Sequence, residues 1–194
     1  AAADLARCGY EEFYFQLDSG GPDLKGLYEH AFDHGYSLIS TLREGTSDKD
    51  IVEALESAIT EGEHSNSVFI LDTLKKFVDV NSKQKAPEFY ALLRHFTQRG
   101  GTVLSLAHAN KYNDNDDKII PDGVMDLVND ADNVAILQGL HTPEKLTIST
   151  NHSPSVGGKT RAKIVEASFE LDKATYQITP VDFVNTQDEL NRVE

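Results

Sequence analysis

Short runs of aromatic and β-branched residues alternate along the chain with stretches where apolar side chains recur every three or four positions. That alternation predicts an α/β fold. Ala1–Cys8 reads as the tail of a helix ended by Gly9. Phe13-Tyr14-Phe15-Gln16-Leu17 reads as a strand closed by Asp18-Ser19-Gly20-Gly21. Pro22 then suits the first turn of a helix carrying Leu24, Leu27, Tyr28 and Ala31 on one face. Gly35 stops this helix, and residues 36–40 form a second strand. Ser47 is a helix N-cap with Asp50 three positions on, ahead of an apolar face of Ile51, Val52, Leu55, Ala58 and Ile59. Ser67-Val68-Phe69-Ile70-Leu71 is continuously apolar from Val68, as expected of a strand buried on both faces. A helix from about Pro87 to Gln98 and a strand over Thr102–Ala107 follow.

Beyond this point the pattern changes. Asn110–Gly123 is polar and acidic and reads as a loop, Val124–Asn129 as a short helix, and Asn133–Leu137 as another strand. Lys145–Thr150, Ala162–Leu171 and Thr175–Thr179 read as β-ribbons without intervening helices, antiparallel at a sheet edge. The expected organisation is one domain over residues 1–180 and a polar tail over 181–194 that frays. Its architecture is a mostly parallel sheet flanked by helices, with a C-terminal antiparallel ribbon region.

Composition narrows the setting. A chain of 194 residues with 39% hydrophobic content supports one domain with a proper core. No apolar run approaches the roughly 20 residues needed to cross a bilayer, so no membrane partner is expected. The single cysteine, Cys8, excludes an internal disulfide framework and the usual thiol-based zinc sites. With no basic-then-apolar leader, a cytoplasmic location is expected. The net charge of −14 comes from 32 acidic and 18 basic side chains, unevenly spread. Residues 67–118 carry 6 acids against 8 bases, while both flanking segments are strongly acidic. This middle segment is either a solvated helix face or a place to contact phosphates.

Three polar residues stand where apolar strands end. Asp72 follows Leu71, and nucleotide hydrolases hold a magnesium shell with an Asp in that position. The plain alternative is a turn Asp after a strand. His108 follows the Thr102–Ala107 strand and can hydrogen-bond a phosphate. Asp18 follows the first strand, where a carboxylate can orient and deprotonate a water, or simply open the next helix as an Asx-turn. A metal-dependent hydrolase built on Asp18, Asp72 and His108 is a further possibility on these residues alone.

The order of strand-Asp18, strand-Asp72-Thr73, strand-His108-x-x-Lys111 and then Lys159-Thr160-Arg161 before a β-ribbon resembles the RecA-like ATPase core. It is most similar to the plasmid RepA and DnaB hexameric helicase branch. Val68–Thr73 resembles the Walker B strand of that family, and Thr102–Lys111 the sensor strand that follows it. The resemblance implies that Asp72 and Thr73 bind the cofactor, with Asp72 holding Mg2+ through water, and that His108 is the sensor. Asp18 stands where the branch usually places a catalytic Glu, one methylene shorter in reach. Lys159 and Arg161 match a pair that reaches the γ-phosphate bound by the neighbouring subunit, and alternate residues on a ribbon share a face.

Gly158-Lys159-Thr160 imitates the end of a phosphate-binding loop, but the required first glycine falls on Ser153 and no strand–loop–helix context surrounds it. The glycine-rich loop of a RecA-like core therefore lies outside this chain. The expectation is a truncated ATPase, with ATP and Mg2+ as cofactors of the full-length form. Loss of the loop's strand should expose backbone edges and apolar surface. The resemblance implies a homo-oligomer acting in DNA replication of a plasmid, phage or mobile element. It also implies DNA contacts at the loops near 112–122 and 151–158, although Asp114, Asp116 and Asp117 repel phosphates; Lys75, Lys76, Lys83 and Lys85 make a better basic patch. The alternative is a non-catalytic interaction or regulatory module that keeps the fold and does not hydrolyse nucleotide.

Overall fold

Alternation along the first strand sorts its side chains into two chemistries. The computed structural model describes residues 2–41, 46–62, 64–79, 81–109, 129–152, 158–160, 164–174 and 177–185. In it, β1 (Glu11–Gln16) sends Phe13 and Phe15 to one face and Glu12, Tyr14 and Gln16 to the other. It pairs in parallel with β2 (Ser37–Ser40) on one side and β3 (Ser67–Asp72) on the other. β3 in turn pairs in parallel with β4 (Thr102–Ser105), giving the order β2-β1-β3-β4. Right-handed crossovers through helices are the usual way to join such strands.

Helices cover both faces of this sheet. On the Tyr14 face, α1 (Ala2–Arg7) and α2 (Gly21–His34) pack onto Tyr14, Tyr36 and Leu38 through Ala2 and Ala6 of the first and Leu27, Tyr28 and Ala31 of the second. Gly35 ends α2 in the left-handed conformation, φ 76°, and its N–H closes onto the Ala31 carbonyl, a C-cap that a side chain would strain. On the Phe13 face lie α3 (Asp48–Glu61) and α4 (Lys85–Gln98). The Ser47–Asp50 pair forms a reciprocal capping box at the start of α3. Ile51, Leu55 and Ile59 of α3 are fully or almost fully buried, and Phe96 of α4 stacks on Phe69 with centroids 4.2 Å apart. A Cβ on Gly101 would come within 2.3 Å of the Phe96 ring, so β4 enters the sheet through a position that only glycine fits.

The chain divides into two compact units, the first carrying α1 to β4 and the second β5 to β8. The second unit is an antiparallel meander of β5 (Ile136–His141), β6 (Lys145–Asn151), β7 (Ile164–Asp172) and β8 (Ile178–Asn185). Among the described side chains of these strands only Ile136 and Ala167 are buried. The last strand corrects the sequence reading, which ended it at Thr179 and began a polar tail at 181. β8 runs on through Pro180 as an edge strand, where proline is tolerated, with a register shift between Ser168 and Phe169 next to the Phe169–Pro180 pair. The strand expected over Asn133–Leu137 starts later, at Ile136, with Val134 forming an isolated bridge to Lys159 instead. The helix expected over 124–129 lies mostly outside the described residues.

β4 and β5 are edge strands of their respective sheets. Leu104 on the first, and Leu137 and Leu140 on the second, are exposed. Among the described residues no helix is long and apolar enough to cross a membrane.

One buried group stands out on the α1/α2 side. Glu12 is 3% exposed, and neither carboxylate oxygen has a hydrogen-bond partner. Burial pushes its pKa up, and its charge contributes to the raised pKa of Tyr36 after burial. A carboxyl whose folded pKa lies above its unfolded value weakens the fold as pH rises from the unfolded pKa through the folded one. Glu12→Met is therefore expected to stabilise the chain by about 1 kcal/mol or more at neutral pH. The gain should shrink below pH 4.5, the ordinary carboxyl value, where both states are protonated. Urea midpoints of both proteins across that pH range check this, and a pH-independent difference would contradict it.

Candidate functional site

Parallel register between β1 and β3 sets Gln16 beside Asp72, and both side chains leave the same face of the sheet. Gln16 is 4% exposed and uses both ends of its carboxamide. Its Nε2 donates to Asp72 Oδ2 at 2.8 Å, while its Oε1 accepts from the Asp18 N–H at 2.5 Å and the Ser19 N–H at 3.0 Å. Tyr14, two residues earlier on the same face, donates its hydroxyl to Asp72 Oδ2 at 2.6 Å. Both donors converge on one oxygen of Asp72, and Oδ1 takes neither of them. Burial first, and then the hydrogen bond to Asp72, hold the Tyr14 phenol well above its ordinary pKa, so it stays a donor.

The backbone continues these alignments past the strand ends. The Leu17 N–H donates to the Asp72 carbonyl, the Leu106 N–H to the Leu71 carbonyl, and the Leu74 N–H to the Leu106 carbonyl. The peptide between Asp72 and Thr73 is cis. Leu74–Lys76 then forms a single 3-10 turn, pinned by buried Leu74 and Phe77. Thr73, at the head of this turn, is 6% exposed, and its hydroxyl has no hydrogen-bond partner. The turn brings Lys76 Nζ to 3.7 Å from Asp18 Oδ1, while His108 Nε2 lies 3.6 Å from Asp18 Oδ2.

Asp18, Asp72, Thr73 and His108 thus gather at the carboxyl ends of three neighbouring strands of the first unit. Lys159 belongs to the second unit, where its ammonium donates to the carbonyls of Asn129 and Ala131 at 2.9 and 2.5 Å. Arg161, Lys111 and the loop near 112–122 lie outside the described residues. Of the loop near 151–158, Asn151, His152 and Gly158 are described; His152 Nδ1 pairs with Asn133 Oδ1 at 2.8 Å. Sequence reasoning missed Tyr14, Gln16 and the role of Lys76. Alternation on β1 carried the signal for the first two, since a Tyr and a Gln on the face opposite two phenylalanines need polar partners. Lys76 was legible only as part of a lysine patch.

Among the described residues no three His, Cys, Asp or Glu side chains are grouped as a metal cage, so Asp18, Asp72 and His108 do not form the hydrolase metal centre considered from sequence. The donor set fits a different kind of metal binding. One carboxylate oxygen and one unpartnered hydroxyl, on Asp72 and Thr73, match Mg2+, which keeps several waters and takes one or two protein ligands beside phosphates.

Gln16→Leu is expected to cost about 1–3 kcal/mol, because it strips a donor from the Asp72 carboxylate and an acceptor from two backbone N–H groups. Chemical unfolding measures it, and an unchanged midpoint would mean that the carboxamide bridge contributes nothing. No family model and no curated protein matches this chain, so its site is known from its own geometry.

Proposed function

We propose that this chain is the greater part of a RecA-like ATPase core, similar to the plasmid RepA and DnaB hexameric helicase branch. It works as an oligomer in the cytoplasm, in DNA replication of a plasmid, phage or mobile element. The observation that supports the reading is the gathering of Asp18, Asp72 and His108 at the carboxyl ends of β1, β3 and β4, with Asp72 held by two donors on a single oxygen. Ligands of open parallel sheets bind outside the carboxyl ends of the strands, where these residues lie. The phosphate-binding loop is supplied by polypeptide outside Ala1–Glu194.

In this reading Asp72, through water, and Thr73 would hold a Mg2+ ion, which would supply charge neutralisation for the nucleotide phosphates. Asp18 orients a water in line with the γ-phosphorus and accepts its proton as the new P–O bond forms and the bond to the β-phosphate oxygen breaks, releasing ADP. His108 hydrogen-bonds the γ-phosphoryl group and reports its loss. Lys159 and Arg161 act on the nucleotide of the adjacent protomer, where Lys159 exchanges its Asn129 and Ala131 carbonyls for phosphoryl oxygens.

Equilibrium binding of magnesium–ATP to Ala1–Glu194 and to a form extended upstream through a glycine-rich phosphate loop tests the reading. Tight binding is expected in the extended form alone, and Asp72→Asn in that form should lower kcat by about 10²-fold or more. If neither form binds nucleotide, the fold serves as a non-catalytic interaction module.

A further inference from the structure

Asp18 faces a side-chain nitrogen at each of its carboxylate oxygens, the Lys76 ammonium at one and the His108 imidazole at the other, and the two come from separate elements. Lys76 Nζ approaches Oδ1 from the 3-10 turn after β3, and His108 Nε2 approaches Oδ2 from the segment after β4. The separations, 3.7 and 3.6 Å, are longer than the roughly 2.7–2.9 Å of a closed charge-assisted hydrogen bond. Side-chain exposures of 35% for Asp18, 37% for Lys76 and 52% for His108 leave water able to compete. The carboxylate sits between two prongs and is locked to neither.

The main chain beneath it is fixed. Gln16 Oε1 receives the N–H groups of Asp18 and Ser19, and the Gln16 amide is tied in turn to Asp72. Leaving the prongs therefore needs only rotation of the Asp18 side chain, with no movement of β1. The prongs are also fixed at their roots, by buried Leu74 and Phe77 on one side and by the Leu106–Leu71 hydrogen bond on the other. The unpartnered hydroxyl of Thr73 heads the turn that carries Lys76.

We propose that Lys76 and His108 form a two-pronged clamp for a phosphoryl group, and that the Asp18 carboxylate occupies this clamp until the phosphoryl group displaces it. A phosphoryl group offers the same paired acceptor oxygens as a carboxylate with more negative charge, so it takes both prongs and repels the carboxylate. Seating the ligand and releasing Asp18 to receive a water become one exchange. The inference rests on the nucleotide reading for the source of the phosphoryl group, and it makes Lys76 a ligand-binding residue of the site.

Inorganic pyrophosphate is the probe, titrated into Ala1–Glu194 while the His108 imidazole resonance, assigned with His108→Gln, is followed by NMR. Wild-type protein should show a saturable shift by about 10 mM pyrophosphate. Asp18→Asn, which removes the competing charge, should tighten binding about threefold or more, and Lys76→Gln should weaken it by a similar factor, with Lys76→Arg restoring it. Opposite effects from two partners of one ion pair are what a merely structural pair would not produce. The clamp is overturned if His108 does not respond, if Asp18→Asn binds no tighter, or if Lys76→Gln binds as wild type does. In the extended form, ATP hydrolysis unimpaired by Lys76→Gln would sink the clamp and leave the ATPase reading standing. The expected pyrophosphate behaviour without nucleotide binding by the extended form would support the clamp and sink the ATPase reading.

Discussion

The β1–β3 register is the constraint on which the site depends. Because successive residues of a strand face opposite ways, a slip of one position would bring Phe13 and Phe15 to Asp72 and send Tyr14 and Gln16 into the aromatic cluster. That cluster prevents the slip. Phe13 and Phe15 both meet Phe69 edge-on, with centroids 5.5 and 5.3 Å apart, and Phe15 also meets Phe77. Packing on the apolar face thus orients the hydrogen bonds on the polar one. A hydrogen bond to an ionised partner is worth about 1.5–3 kcal/mol, so two of them on Asp72 Oδ2 hold the carboxylate firmly without supplying the fold's main stability.

Much of the first unit was legible because its strands are short, strongly apolar and bounded by glycine or polar turns. The C-cap at Gly35, the capping box at Ser47 and the continuous run Val68–Leu71 each announce an element through local chemistry. Strand ends were less legible, since Glu11 and Glu12 look like loop residues and are drawn into β1 by pairing with β3. Asp18, Asp72 and His108 could be read as strand-end residues. Their partners could not, because which face of β1 meets Asp72 is decided by pairing across 56 residues of sequence. Lys76 was hidden for a related reason: a 3-10 turn and a helical turn place the fourth residue after Asp72 in different directions.

The two units achieve order by different means. The first encloses a core between helices on both faces of the sheet, and bears the cost of burying Glu12 without a partner. The second relies on ladder hydrogen bonds and cross-strand polar pairs such as Ser149–Ser168, Asn151–Glu166 and Lys145–Glu170, and among its described hydrophobic side chains only Ile136 and Ala167 are buried. Residues there are held by local pairing, as Lys159 is by two backbone carbonyls.

The strand order β2-β1-β3-β4 also carries a message about time. As the chain leaves the ribosome, β1 can pair with β2 as soon as α2 has formed between them, but its other edge stays open until β3 has been made. Asp72 is the last residue of β3, and its two hydrogen-bond donors wait on β1 throughout that interval. Closing so distant a pair is a slow step, and an open edge on a strand of three aromatic residues is the surface that chaperones recognise and aggregation exploits. Formation of the Asp72 cluster therefore marks the closing of the second edge of β1, after which the outer edge of β3 waits for β4.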